Sequence, residues 1–323
     1  MAKVSIIIPI YKVEQYIERC ARSLFEQKLQ DIEYIFVNDC TPDRSVEILT
    51  EVLKEYPDRA PFLKIINHTF NQGLRRTRNT GLLYASGEYI AHCDSDDWVD
   101  ENMYLSLYNE AVRSCSDLVY SDFYFAYKDK IEFCQTAEYD SDRVQMIRNY
   151  ISSVWTSLVN LIAKRDLYVD NNLKSPEHIS YCEDFWLSVR LFYYSEKITK
   201  VSEPLYYYNQ CNVTSIMHNL NKYVGDDMKC YLETIGLFSQ LGTFAEYEEV
   251  LCWRVLNALH FDMYYPERHK GIVEIFPLSH KYILSCPFYT MKQKILMWML
   301  THKCRIGVLF LLKIRELLGR TSL

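Results

Sequence analysis

Glycine-rich and paired-cysteine motifs are missing from this 323-residue chain. The first strand candidate ends Ile8-Pro9-Ile10-Tyr11 with no glycine-rich turn behind it. Neither G-x-G-x-x-G nor a Walker loop is present, which disfavours a dinucleotide-binding Rossmann domain and a P-loop. The 11 cysteines are odd in number and form no C-x-x-C pair, so neither a zinc site nor a thioredoxin-like motif is indicated. The longest late apolar run, Ile306 to Leu312, falls far short of the ~20 residues that cross a bilayer. An excess of positive charge is absent too. The net charge of −6 argues against a broad nucleic-acid surface, so no nucleic-acid partner is expected. The start, MAKVSIIIPIYKVEQY, lacks a signal-peptide layout, and a reducing, cytoplasmic setting is the expectation.

Apolar residues make up 49% and charged residues 24%, a globular balance. The length suits about two domains. The 27 tyrosines pair an apolar ring with a polar tip, which fits the rim of a core or a sugar- or base-facing surface. Charge is uneven. Met291 to Leu323 holds seven Lys/Arg against Glu316 alone, a net +6 that leaves −12 elsewhere.

The first part alternates strand and helix signals. Val4–Ile10 is a continuous β-branched run of the kind buried on both faces. Val13 to Lys28 has helical spacing, with Ile17, Cys20, Ala21, Leu24 and Phe25 on one side. Strands are predicted at Glu33–Val37, Leu63–Ile66, Glu88–Cys93 and Leu118–Tyr120. Helices are predicted from Thr41-Pro42-Asp43 to about Tyr56, over Gly73–Ala85 with Asn71 as a cap candidate, and over Glu101–Arg113. Such alternation implies a parallel sheet whose ligand sits at the carboxyl ends of the strands. Beyond Phe123 the pattern is less regular, with a helix at Asp184–Tyr194 and strands at Ile198–Val201 and Leu205–Tyr208. From about Asn221 it is mostly helical.

The strongest chemical signal is Asp94-Ser95-Asp96-Asp97, at the end of the fourth strand. Three carboxylates in four residues repel one another unless solvated or neutralised by a cation. Mg²⁺ typically uses one or two carboxylates plus substrate phosphates. A solvated acidic turn is the bland alternative. Asp39, at the end of the second strand, stands where a base or ribose could donate a hydrogen bond.

Together these segments resemble the family 2 glycosyltransferases of GT-A fold. They are Val4–Tyr11, Val37-Asn38-Asp39-Cys40-Thr41-Pro42-Asp43, Asn71-Gln72-Gly73 with Arg78-Asn79-Thr80-Gly81, Gly87-Glu88-Tyr89-Ile90 and Asp94–Asp97. The resemblance implies an α/β fold with a Rossmann-like, mostly parallel sheet, a GT-A domain over 1–220 with a nucleotide-binding half at 1–122 and an acceptor half at 123–220. The sequence pattern, not the resemblance, adds a mainly helical C-terminal region over 221–323. The resemblance also implies a nucleotide-sugar donor, UDP-linked in most of the family, and a saccharide or lipid-linked acceptor in surface polysaccharide or glycolipid synthesis. Pro9, Tyr11 and Asp39 would hold the nucleotide, with Asp39 reading the base. Arg78, Asp94 and Ser95 complete that set. Asp94 and Asp96 would bind Mg²⁺ or Mn²⁺, Asp96 directly. Asp184 matches the family's catalytic base, with Glu183 in support. Two positions depart from the family pattern: Asn38 replaces an acid, and Cys40-Thr41-Pro42-Asp43 replaces Gly-Ser-Thr-Asp.

Trp155 and Trp186 fit either a sugar face or the core, and His218 either a diphosphate contact or a structural role. The basic stretch from Met291 to Leu323 fits a peripheral membrane contact or a helical pair packed on the enzyme or on another subunit of an oligomer. A nucleotidyltransferase and an inactive nucleotide-sugar-binding scaffold are the competing readings. The first lacks a Gly- and Lys/Arg-rich loop after Ile10, and intact Asp39, Asp96 and Asp184 weigh against the second.

Overall fold

A computed structural model describes residues 2–153, 155–212, 225–302, 304, 307–308 and 313. His218 and most of the basic stretch after His302 lie outside the described residues. The chain divides into two compact units, Met1–Asp226 and Asp227–Leu323.

The first unit begins with β1 (Val4–Ile10), α1 (Ile17–Phe25), β2 (Ile32–Asn38), α2 (Ser45–Leu53), β3 (Leu63–Asn67), α3 (Leu74–Tyr84) and β4 (Tyr89–His92). It continues with β5 (Trp98–Val99), α4 (Met103–Ser114), β6 (Leu118–Ala126), β7 (Ile131–Cys134), α5 (Arg143–Ser152), β8 (Leu161–Lys164), α6 (Arg165–Asp170), α7 (Glu183–Tyr194) and β9 (Ile198–Asn209). The strands form one sheet in the order β3-β2-β1-β4-β8-β6-β9-β5, with β7 beside β6. β3, β2, β1 and β4 are parallel, and β8 joins β4 antiparallel.

All seven residues of β1 are buried, as a run of β-branched residues at the centre of a parallel sheet requires. α1 buries Ile17, Cys20, Ala21, Leu24 and Phe25, the stripe its spacing predicts. Gly81 lets α3 lie directly on β1, because a Cβ there would overlap the side chain of Ile7. The strand ends are level: Ile10 pairs with Asn38, and Asn38 with Asn67. Tyr11, Asp39 and His68 therefore leave the sheet side by side.

Several boundaries differ from the sequence reading. Thr41-Pro42-Asp43 is not a helix start; α2 begins at Ser45, and no side chain caps it. Thr41 Oγ1 instead accepts from Lys12 N at 2.8 Å and donates to Asp43 at 2.6 Å. Asp43 also accepts from Glu14 N and Ser45 Oγ, so it ties the loops behind β1 and β2 together. Asn71 does not cap α3; Gly73 holds that position at φ 85°. The two late strands are one, β9, paired with β6 across a register shift.

The second unit is helical: α8 (Asp226–Gln240), α9 (Phe244–Ala258), α10 (His269–Glu274) and α11 (Met291–Thr301), with short 3₁₀ turns between. Phe238, Tyr247, Leu251, Val255, Met263, Ile272 and Met297 are buried in it. No helix among the described residues is long and apolar enough to cross a membrane.

Candidate active site

The acidic turn Asp94–Asp97 links β4 to β5, two strands far apart in the sheet order. It therefore bridges the parallel half and the end of β9. Its three carboxylates find three different partners. Asp94 Oδ1 accepts from Arg78 Nη2 at 2.7 Å. Asp96 Oδ2 accepts from Asn212 Nδ2 at 2.7 Å. Asp97 is buried and accepts from Tyr206 Oη at 2.5 Å and Asn209 N at 2.8 Å.

Arg78, on α3, is 1% exposed and lies at the centre. Besides Asp94 it donates to Glu183 at 3.0 Å and to Asp184. Glu183 and Asp184 open α7, behind Cys182 in the left-handed region at φ 70°. One guanidinium thus gathers Asp94 with two carboxylates more than a hundred residues from Arg78 in sequence. Burial works against its charge, but Asp184, Asp94 and Glu183 raise its pKa further above its ordinary value.

The carboxylates outnumber that cation, and the surplus shows in their protonation. Burial, then Asp94, pushes Asp96 up to about 6. Burial, then Asp184, pushes Glu183 up to about 8. Asp184 is raised by burial, with Arg78 opposing. His92 sits beneath, held neutral with its pKa lowered to about 3 by burial and then by Arg78.

The residues expected at the nucleotide separate into two groups. Tyr11 is exposed at the end of β1, while Pro9 is buried within the strand. Asp39 is buried, and its carboxylate is engaged by its own chain. It meets His68 Nδ1 at 2.8 Å and accepts from Gln72 N at 2.7 Å and Gly73 N at 2.8 Å. It thereby shapes the loop that starts α3. The hydroxyl of Ser95 is buried and donates to Pro9 O at 2.5 Å, stitching the acidic turn to β1. That bond uses the Ser95 hydroxyl's only proton, so as a donor it does not face a ligand. Trp155 packs against Phe123, Phe125 and Tyr208, and the guanidinium of Arg190 lies over Trp186.

Sequence reasoning missed His68, Tyr206, Asn209 and Asn212. His68 links Asp39 to Thr80. The other three hold the acidic turn from β9 and just beyond it. Only the tyrosine run Tyr206-Tyr207-Tyr208 gave a local hint.

Residues 5–165 match the family described as glycosyl transferase family 2. An uncharacterized glycosyltransferase, EpsJ of Bacillus subtilis (strain 168), is 34% identical over 253 residues, covering 74% of this chain and 70% of the relative. The poly(ribitol-phosphate) beta-glucosyltransferase of Bacillus spizizenii is 30% identical over 209 residues, 64% of this chain and 32% of that longer protein. Among solved structures, S. aureus TarS 1-349 in complex with UDP-GlcNAc aligns with a TM-score of 0.69 at 18% identity, covering 98% of this chain and 92% of that one. The fold is GT-A with a helical C-terminal region, and the chain belongs to the family 2 glycosyltransferases.

Proposed function

We propose that this glycosyltransferase is metal-dependent and inverting, and that it moves a sugar from a UDP-sugar to an acceptor hydroxyl of a surface polysaccharide or glycolipid. The observation that carries the reading is the meeting at Arg78 of the acidic turn and the opening of α7. It brings a phosphate-side element and a proton acceptor to one point. The UDP-GlcNAc complex of TarS and the poly(ribitol-phosphate) relative support the donor and acceptor classes.

Asp94 and Asp96 suit a divalent cation. Each keeps one carboxylate oxygen that no other described residue occupies. Two carboxylates plus substrate phosphates is the usual Mg²⁺ set. Bound there, Mg²⁺ or Mn²⁺ supplies charge neutralisation for the departing diphosphate. Tyr11 offers its ring to the nucleotide at the end of β1. Pro9 and Asp39 shape that pocket, Asp39 through the loop it organises, and Ser95 fixes the turn beside it. Arg78 lies buried behind Asp94 and fixes that carboxylate in place.

Asp184 takes the proton of the acceptor hydroxyl as that oxygen bonds to the anomeric carbon and the bond to the diphosphate breaks. Its raised pKa makes it a better proton acceptor, and Arg78 keeps it ionised. Glu183 supports it through the same guanidinium. The half formed by residues 123–220 contributes the acceptor side, and 221–323 forms the helical region.

The test is release of UDP from UDP-sugars by slow hydrolysis with Mn²⁺. Wild type releases UDP from at least one sugar, and Asp96→Ala abolishes both release and metal-dependent donor binding. Asp96→Ala protein with wild-type metal-dependent binding removes Asp96 from the metal site.

A further inference from the structure

Among the described residues, one apolar face of α11 is buried and the other is largely exposed, with Trp298 stacked on His302. Thr290 and Gln293 form a capping box that fixes where the helix starts. Gln293, Leu296, Met297 and Leu300 are buried. Met291, Ile295 and Trp298 are 67%, 52% and 41% exposed. At about 100° per residue these three fall within about 60° of arc, opposite the buried set. Lys292 and Lys294 flank that arc, one on each side. Long cationic stems beside an outward Trp and Ile are placed to reach headgroups while the apolar groups enter the acyl boundary.

Charge distinguishes a lipid surface from other occupants. The segment from Met291 to Leu323 is +6 within a chain of −6. An apolar strip with cations at its rim, in the one strongly basic region of an acidic protein, complements an anionic surface. It does not complement another copy of the same strip.

We propose that the exposed face of α11, with Met291, Ile295 and Trp298 at its centre and Lys292 and Lys294 at its rim, docks on an anionic phospholipid bilayer. The helix lies in the interface and does not span it. The inference is independent of donor chemistry, because none of these residues belongs to the candidate active site.

The experiment uses the full chain and large unilamellar vesicles, phosphatidylcholine with and without phosphatidylglycerol, at low salt. Wild type co-sediments with the phosphatidylglycerol vesicles. Lys292→Gln/Lys294→Gln binds them about 30-fold more weakly, about fivefold per lysine. Ile295→Ser/Trp298→Ser weakens binding at least about tenfold. Both variants keep wild-type circular dichroism and wild-type UDP release, so loss of vesicle binding is separable from failure of the transferase reading. The proposal is overturned if wild type ignores phosphatidylglycerol vesicles, or if both variants bind as wild type does. It is also overturned if wild type self-associates without lipid and Ile295→Ser/Trp298→Ser turns it monomeric, which would make the face an interface between copies.

Discussion

Replacing Arg78 by Met tests whether one buried cation holds the site together. The substitution keeps a long, flexible side chain and removes the charge. Three carboxylates then lose their shared partner. Breaking a fully buried pair costs about 3–5 kcal/mol. Asp94 and Asp184 keep about a quarter of their side-chain surface in water, at 24% and 29%, so solvent takes up part of the loss. The expected destabilisation is about 2–3 kcal/mol at about pH 8. It shrinks on acidification. Glu183 is lifted to about 8 in the folded chain, chiefly by burial. Its protonated form therefore favours folding, a contribution complete below the ordinary carboxylate range and lost as pH rises through about 8. Arg78 opposes that lift, so removing it matters only where the carboxylates ionise. Near about pH 5, where Glu183 is protonated, the deficit is smaller than at about pH 8. Urea unfolding of wild type and Arg78→Met at both pH values measures the difference directly. An equal deficit at both, or none at pH 8, would refute the idea that Arg78 acts as counter-ion to these acids.

Three further outcomes are expected. Asp184→Asn retains an oxygen for Arg78 and loses proton acceptance; transfer falls about 10²–10⁴-fold while calorimetric UDP affinity holds, and wild-type turnover would remove Asp184 as the base. Ser95→Ala breaks the bond to Pro9 O, lowering stability by about 1 kcal/mol with little change in UDP affinity; a large affinity loss with unchanged melting would mean the hydroxyl meets nucleotide after all. Gly81→Ala forces α3 off β1, destabilising the fold by about 1–3 kcal/mol, and an unchanged urea midpoint would show that Ile7 yields freely.

What could be read locally was read well. β1 announces itself because a strand buried on both faces must be apolar throughout, and α1 because its burial is one-sided. The Thr41-Pro42-Asp43 error has an equally physical cause. Those residues suit a helix cap, but the carboxylate of Asp43 is drawn to Glu14 N in the loop behind β1, a partner invisible in a linear window. β8 goes unread and β9 is read as two separate strands for a related reason. Leu161–Lys164 is four residues long, and β9 is interrupted by Ser202-Glu203-Pro204, so neither shows a clean period. Ser95 is expected at the nucleotide from its place in the acidic turn, but that its hydroxyl donates to Pro9 O is a contact that no linear window shows.

The acidic turn makes the same point about the site. As a sequence, Asp94-Ser95-Asp96-Asp97 poses a repulsion problem with one evident solution, a cation. The fold divides the problem. Asp97, pushed well above its ordinary pKa by burial and its acidic neighbours, is settled by Tyr206 and Asn209 and belongs to the framework. Asp94 is balanced by Arg78, and among the described side chains Asp96 receives a neutral amide. Arg78 is also shared with Glu183 and Asp184, so its single charge cannot neutralise them all. A diphosphate arriving alone would add anions to a site already short of positive charge. On the proposed reading, Asp96, with the weakest compensation among the described residues, is where a divalent ion would gain most, and the donor's diphosphate would arrive paired with that ion.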